Sequence, residues 1–166
     1  LLTRWHELGK LNENTYMVKT IVTTELMRAM ADRFGIQMYD VLTGFKYIAE
    51  VIRNNEGKRT FIGGGEESFG FLPYDKVRDK DAPASICLIC EIAAWAKDQG
   101  KTLYDLLMDI YKEYGFSFEH TINVTKPGKS GADEIKQMMA DFRGDKAPKT
   151  IAGSPVVLTK DYQSLI

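Results

Sequence analysis

Three consecutive glycines, Gly63, Gly64 and Gly65, follow the short apolar run Thr60-Phe61-Ile62. The run has the composition of a β-strand. The glycines permit dihedrals and close backbone approaches that a Cβ would block. Glu66, Glu67, Ser68, Phe69 and Gly70 come next. Two readings fit this stretch. It is a glycine-rich turn with solvated acids, or a loop folded around a polar ligand at the end of a strand.

The flanking sequence sets the fold class. Residues 16–22 are rich in β-branched residues and read as a strand. Thr23 or Thr24 caps a helix with Leu26, Met27, Met30 and Phe34 at helical spacing, ending at Gly35. Residues 36–42 form a second strand, and Thr43-Gly44 breaks the chain before another helix. Phe45, Ile48, Ala49 and Ile52 line the inner face of that helix. With residues 59–62 as a third strand, the pattern predicts a three-layer α/β/α domain. Its sheet is mixed, mainly parallel, with right-handed crossovers. Thr43-Gly44 and the loop from Gly63 to Gly70 both leave carboxyl ends of strands, where ligands bind in such sheets.

Beyond the glycine loop lies a polar stretch, residues 74–81. Arg78 and Lys80 within it are either solvated or cations for a phosphate beside the loop. A helix over about 82–99 is apolar on most of its circumference, which predicts burial and places Cys87 and Cys90 in the core as reduced thiols. Thr102 and Asp105 have capping-box spacing for the next helix. Phe116, Phe118, His120, Ile122 and Val124 then alternate with polar residues, predicting a half-buried strand. Ser130 caps a helix holding Ile135, Met138, Met139 and Phe142, and residues 148–158 form a final strand region. The composition change divides the chain into an α/β domain over 1–115, with its linker helices, and a partial α+β piece over 116–166. The chain lacks an initiator methionine and is expected to be an excised piece of a longer protein.

Several functions are excluded. A net charge of −1 gives no basic field for nucleic acid or an acidic membrane surface. The longest apolar run is far too short for a bilayer. No G-x-x-x-x-G-K-[ST] motif supports a nucleotide P-loop, and no acidic or His/Cys cluster has metal-ligand spacing. His6 and His120 have no G-x-S-x-G partner and read as structural or exposed. Two reduced cysteines are consistent with the cytoplasm.

The run Gly65-Glu66-Glu67-Ser68-Phe69-Gly70, followed by Asp75 and Arg78-Asp79-Lys80-Asp81, resembles the sugar-binding loop and following segment of the α-D-phosphohexomutases. Leu42-Thr43-Gly44-Phe45-Lys46 is similar to the threonine–glycine turn of the same domain. The resemblance implies the third of four domains over residues 1–115 and the start of the fourth over 116–166. It implies a phosphoglucomutase/phosphomannomutase parent that exchanges hexose 1-phosphate and hexose 6-phosphate. A phosphoserine donor and Mg²⁺, both held by missing domains of the same chain, serve that reaction, and a glucose 1,6-bisphosphate intermediate turns around in the cleft between the domains. Glu66 and Ser68 would bind sugar hydroxyls, and Thr43, Gly44 and Gly65 would border the sugar. Arg78 would be a phosphate cation, and Lys80 would approach the reacting oxygen or phosphate as a cationic or proton-handling group. The sequence lacks the family's Ser-His-Asn or Ser-His-Asp motif, its Asp-Gly-Asp loop and its Arg-Pro-Ser-Gly-Thr loop. The chain alone is therefore expected to be inactive and to bind no metal. The other reading left open is a non-catalytic sugar- or nucleotide-binding α/β regulatory module.

Overall fold

Hydrophobic residues fall on both faces of the first strand, so its sheet needs helices above and below. The structure, a computed structural model, meets that need; it describes residues 1–120, 123–144 and 146–162. Four strands make the sheet: β1 (Thr15–Thr20), β2 (Gln37–Val41), β3 (Thr60–Glu66) and β4 (Gly70–Leu72), in the order β2-β1-β3-β4. β1 runs parallel to β2, with Tyr16 opposite Gln37 and Thr20 opposite Val41. It also runs parallel to β3, with Lys19 opposite Gly65 and a register shift at Tyr16/Met17. β4 turns back antiparallel, pairing Glu66 with Gly70 and Gly64 with Leu72.

Alternation along the strands feeds two cores. On one face Tyr16, Val18, Phe61 and Leu72 pack against Phe45, Ile48 and Ile52 of α3 (Phe45–Asn55). On the other, Met17, Met38 and Ile62 meet Leu2 of α1 (Leu2–Glu7), Ala31 of α2 (Leu26–Arg33) and Ile36. This is the expected α/β/α arrangement with a mixed, mainly parallel sheet. At the start of α2, Thr24 Oγ1 accepts from the Leu26 amide at 3.1 Å. At α5 (Leu103–Tyr114) Thr102 and Asp105 make the expected capping box.

Several expectations need correction. The glycine stretch is no loop: β3 continues through Gly63–Gly65 to Glu66, and the turn is confined to residues 67–69. α4 (Ala82–Asp98) is not enclosed. One side lies against β4, where the Ser85 hydroxyl donates to the Phe71 carbonyl at 3.2 Å. Its outer side leaves Ile86, Ile89 and Trp95 exposed, along with Cys87 and Cys90, which are not core thiols. Apolarity around a helix demands cover on every side, and here α4 receives it on one. Third, no strand forms over residues 116–120 and 123–125; the expected Thr121 and Ile122 lie outside the described residues. A strand forms only where a neighbouring edge supplies a ladder, and the described residues of this segment join no strand ladder. Finally, α6 (Gly128–Arg143) begins ahead of Ser130, with Pro127 at its N-cap and no side-chain cap.

The chain divides into two compact units, Leu1–Glu119 and His120–Ile166. The second holds α6 and a small hairpin, β5 (Thr150–Ile151) with β6 (Ser154–Pro155), in place of the longer strand region expected over 148–158. Among the described residues no helix is long and apolar enough to cross a membrane.

Candidate functional site

The parallel strands β1, β2 and β3 end at Thr20, Val41 and Glu66, so the segments after them share one edge of the sheet. That is the edge where open α/β sheets bind ligands. Glycine geometry builds this edge. A Cβ on Gly64 would lie 2.8 Å from the Val18 carbonyl oxygen, and one on Gly65 would lie 2.8 Å from that of Gly70. The triplet thus serves close strand approach. Gly44, by contrast, has φ of +114° at the N-cap of α3, a conformation suited to glycine.

Glu66 ends β3 with its side chain 11% exposed, and its carboxylate meets Lys80 Nζ at 3.6 Å. The ammonium also sits 5.3 Å from the centre of the Phe45 ring. Lys80 thereby joins the end of β3 to the residue that follows Thr43-Gly44. A hydrogen bond to Asp79 is the largest influence on its pKa. With the charges of Asp79 and Glu66, that bond holds the ammonium above the ordinary lysine value against a weaker desolvation. Lys80 is therefore a standing cation near neutral pH, with about half its side chain open to a ligand. Asp81 is held by the Tyr74 hydroxyl and accepts from the Ala84 amide at 3.0 Å. This cap fixes the start of α4 directly after Lys80.

The structure thus gathers Glu66 and Lys80, with Thr43 and Gly44 following β2 on the same edge. Thr43 is exposed. Ser68 lies on the exposed turn between β3 and β4. Gly65 is buried inside β3, where its part is to let the hairpin close. Arg78 is held elsewhere. Its guanidinium pairs at 3.0 Å with Glu56, the C-cap of α3, whereas Phe45 under Lys80 begins that helix.

A second group at this edge has no counterpart among the residues singled out from the sequence. Lys19 has no exposed surface. Its ammonium donates to the Thr23 carbonyl at 3.1 Å and to Glu25 Oε1 at 3.0 Å, and it pairs with Asp40 Oδ1 at 3.1 Å. Asp40 also takes Arg28 at 2.6 Å. Burial, the largest single influence on Asp40, pushes its pKa up; the hydrogen bonds and charges of Lys19 and Arg28 outweigh it and bring it below the usual value. Next to Lys19, the buried Thr20 hydroxyl donates to Glu67 Oε2 at 3.0 Å, tying the end of β1 to the β3–β4 turn. One signal pointed to this group: a lysine inside a strand buried on both faces.

Among the described residues no group of three or more His, Cys, Asp or Glu side chains is placed to hold a metal ion. Glu25, Asp40 and Glu66 at this edge are each paired with a cation, and Glu67 accepts from the Thr20 hydroxyl, an arrangement that does not fit a Mg²⁺ seat.

Residues 1–114 match the family model of the phosphoglucomutase/phosphomannomutase alpha/beta/alpha domain III. The chain is 33% identical over 159 residues to a phosphoglucomutase of Staphylococcus haemolyticus, covering 96% of this chain and 29% of that protein. It is 38% identical over 146 residues to one from a bovine strain of Staphylococcus aureus, covering 88% and 26%. Among solved structures it is similar in fold to a protein assigned as a phosphomannomutase from Thermus thermophilus. The TM-score is 0.56 and the identity 21%, over 76% of this chain and 29% of that one. The chain thus spans less than a third of the length of these relatives.

Proposed function

The chain belongs to the phosphoglucomutase/phosphomannomutase family, and from that premise we propose that its sheet edge recognises the sugar of a hexose phosphate within a larger mutase. The observation that carries this reading is the Glu66–Lys80 pair at 3.6 Å, beside the Thr43-Gly44 turn. A carboxylate accepts from two vicinal hydroxyls. Ser68, exposed on the adjoining turn, adds a hydroxyl that donates or accepts. Thr43 and Gly44 border the ring. Lys80 offers a positive charge to the reacting oxygen or phosphate. Its raised pKa suits charge stabilisation better than proton abstraction.

The whole protein then interconverts hexose 1-phosphate and hexose 6-phosphate through a phosphoserine and a 1,6-bisphosphate. The donor lies outside residues 1–166, whose sequence has no Ser-His-Asn or Ser-His-Asp motif. Positioning and charge neutralisation carry phosphoryl transfer. A hydroxyl-binding edge contributes the first and, through Lys80, part of the second.

Conversion of glucose 1-phosphate to glucose 6-phosphate by the mutase that carries this chain tests the reading. Glu66→Ala should lower kcat/KM about ten- to a hundredfold, as loss of a charged hydrogen bond costs about 1.5–3 kcal/mol. Phosphorylation of the donor serine should persist. Lys80→Ala should cost more in kcat than in KM. The 166-residue chain alone should show no turnover. An unimpaired Glu66→Ala enzyme would place the sugar site elsewhere, and turnover by the chain alone would place the donor within it.

A further inference from the structure

We propose that Phe69 is a specificity-determining residue that lays its ring against the C–H face of the bound hexose, an inference that rests on the sugar-binding role assigned above. Phe69 closes the three-residue turn between β3 and β4 and has φ of +65°. That conformation favours glycine and disfavours a bulky side chain. The residue is fully exposed, at 104% of the reference surface, so it contributes nothing to either core. A glycine would relieve the backbone and remove a large apolar surface from water. The turn therefore carries two local costs that the fold of the chain does not repay.

The position of the ring supplies a use for it. Phe69 is the neighbour of Ser68 on the turn that follows Glu66. Thr20 anchors this turn through Glu67 at 3.0 Å, which limits where it can move. Gly70 then pairs with Glu66 across the hairpin. A cyclic hexose has a rim of hydroxyls and two faces bearing C–H groups. Glu66 and Ser68 match the rim. An aromatic ring presented beside them matches a face, and selects a closed sugar over an open-chain polyol that keeps the ring's hydroxyls and phosphate and adds one hydroxyl at C5.

The 166-residue chain is titrated with glucose 6-phosphate and with open-chain glucitol 6-phosphate, following the amide resonances of Gly65 and Gly70 by NMR. The unaltered chain should favour the ring by about 2- to 10-fold, the range expected for one aromatic contact. Phe69→Gly should erase that ratio, and Phe69→Trp should keep it. Glu66→Ala should weaken both ligands by similar factors. Because glycine suits the turn, Phe69→Gly should melt no lower than the unaltered chain, so a lost ratio reports contact and not folding. An unaltered chain without ring preference, or a Phe69→Gly chain that retains it, overturns the inference. If Glu66→Ala still weakens both ligands in that case, the sugar site itself stands. If Glu66→Ala changes neither, the site falls and this inference falls with it.

Discussion

Lys19 gives up its hydration entirely, and its stability contribution depends on what replaces the lost water. Two backbone carbonyls, Glu25 and Asp40 surround the ammonium. Truncating one member of a fully buried ion pair costs roughly 3–5 kcal/mol, because the other charge is left stranded. Here Asp40 keeps Arg28 at 2.6 Å and is 23% exposed, and Glu25 is 60% exposed. Lys19→Met also removes the desolvation of the ammonium. The expected loss is therefore smaller, about 1–2 kcal/mol near pH 7 by urea denaturation. Its pH dependence identifies the cause. The pKa of Asp40 is lower folded than unfolded, so its contribution is present above the unfolded value of about 3.9. It disappears as pH falls through the folded value. The gap between the unaltered chain and Lys19→Met should therefore narrow below about pH 4. A variant as stable as the unaltered chain at pH 7, or a gap that widens in acid, would refute this role.

At the scale of elements, the β3–β4 hairpin separates two uses of glycine. Gly64 is fixed by backbone: its Cβ would meet the Val18 carbonyl oxygen at 2.8 Å, and neither strand can yield without breaking the ladder. Gly64→Ala should destabilise by about 2–3 kcal/mol, the upper part of the range for overpacking a closed core. Gly70 faces the Glu66 carboxylate, which a Cβ would meet at 2.6 Å. A side chain can swing away, so Gly70→Ala should cost about 1 kcal/mol or less in stability. It should displace Glu66 and weaken glucose 6-phosphate binding. Thermal melts and the same NMR titration separate the two, and equal melting temperatures would show that close approach does not govern Gly64. The strands and helices of the α/β unit could be read in the sequence because β-branched runs and 3.6-residue spacing each bury a defined face. Glu66 and Lys80 could be read from motif resemblance, but their pairing through Phe45 required the crossover of α3. The sequence did not disclose that the glycine triplet continues a strand, since composition does not distinguish a permissive turn from close strand contact. Nor did it disclose the exposed side of α4, because apolarity states a need for cover and not its supply.

Over the whole molecule, the two units differ in how much apolar surface they enclose. In unit 1 both faces of β1 and β3 are sealed, with Val18, Ile48 and Ile62 at no exposure. In unit 2 the apolar stripe of α6 remains open: Ile135, Met138, Met139 and Phe142 are 38–52% exposed. Gly131 is that helix's one buried residue among those described. Even a domain of about 60 residues buries only about 60% of its unfolded surface, and residues 120–166 form a shorter piece. Helix α6 then rests mainly on its own hydrogen bonds, and isolated helices of this length are marginal in water. Hydrogen exchange should therefore report two levels of protection. Amides of β1 and β3 should exchange only with global unfolding, while those of α6 should exchange through local opening, faster by about three orders of magnitude or more. In a urea titration α6 should lose its residual protection before β1. Protection of α6 equal to that of β1 would mean that residues 120–166 fold cooperatively with the sheet, and would contradict this division of stability.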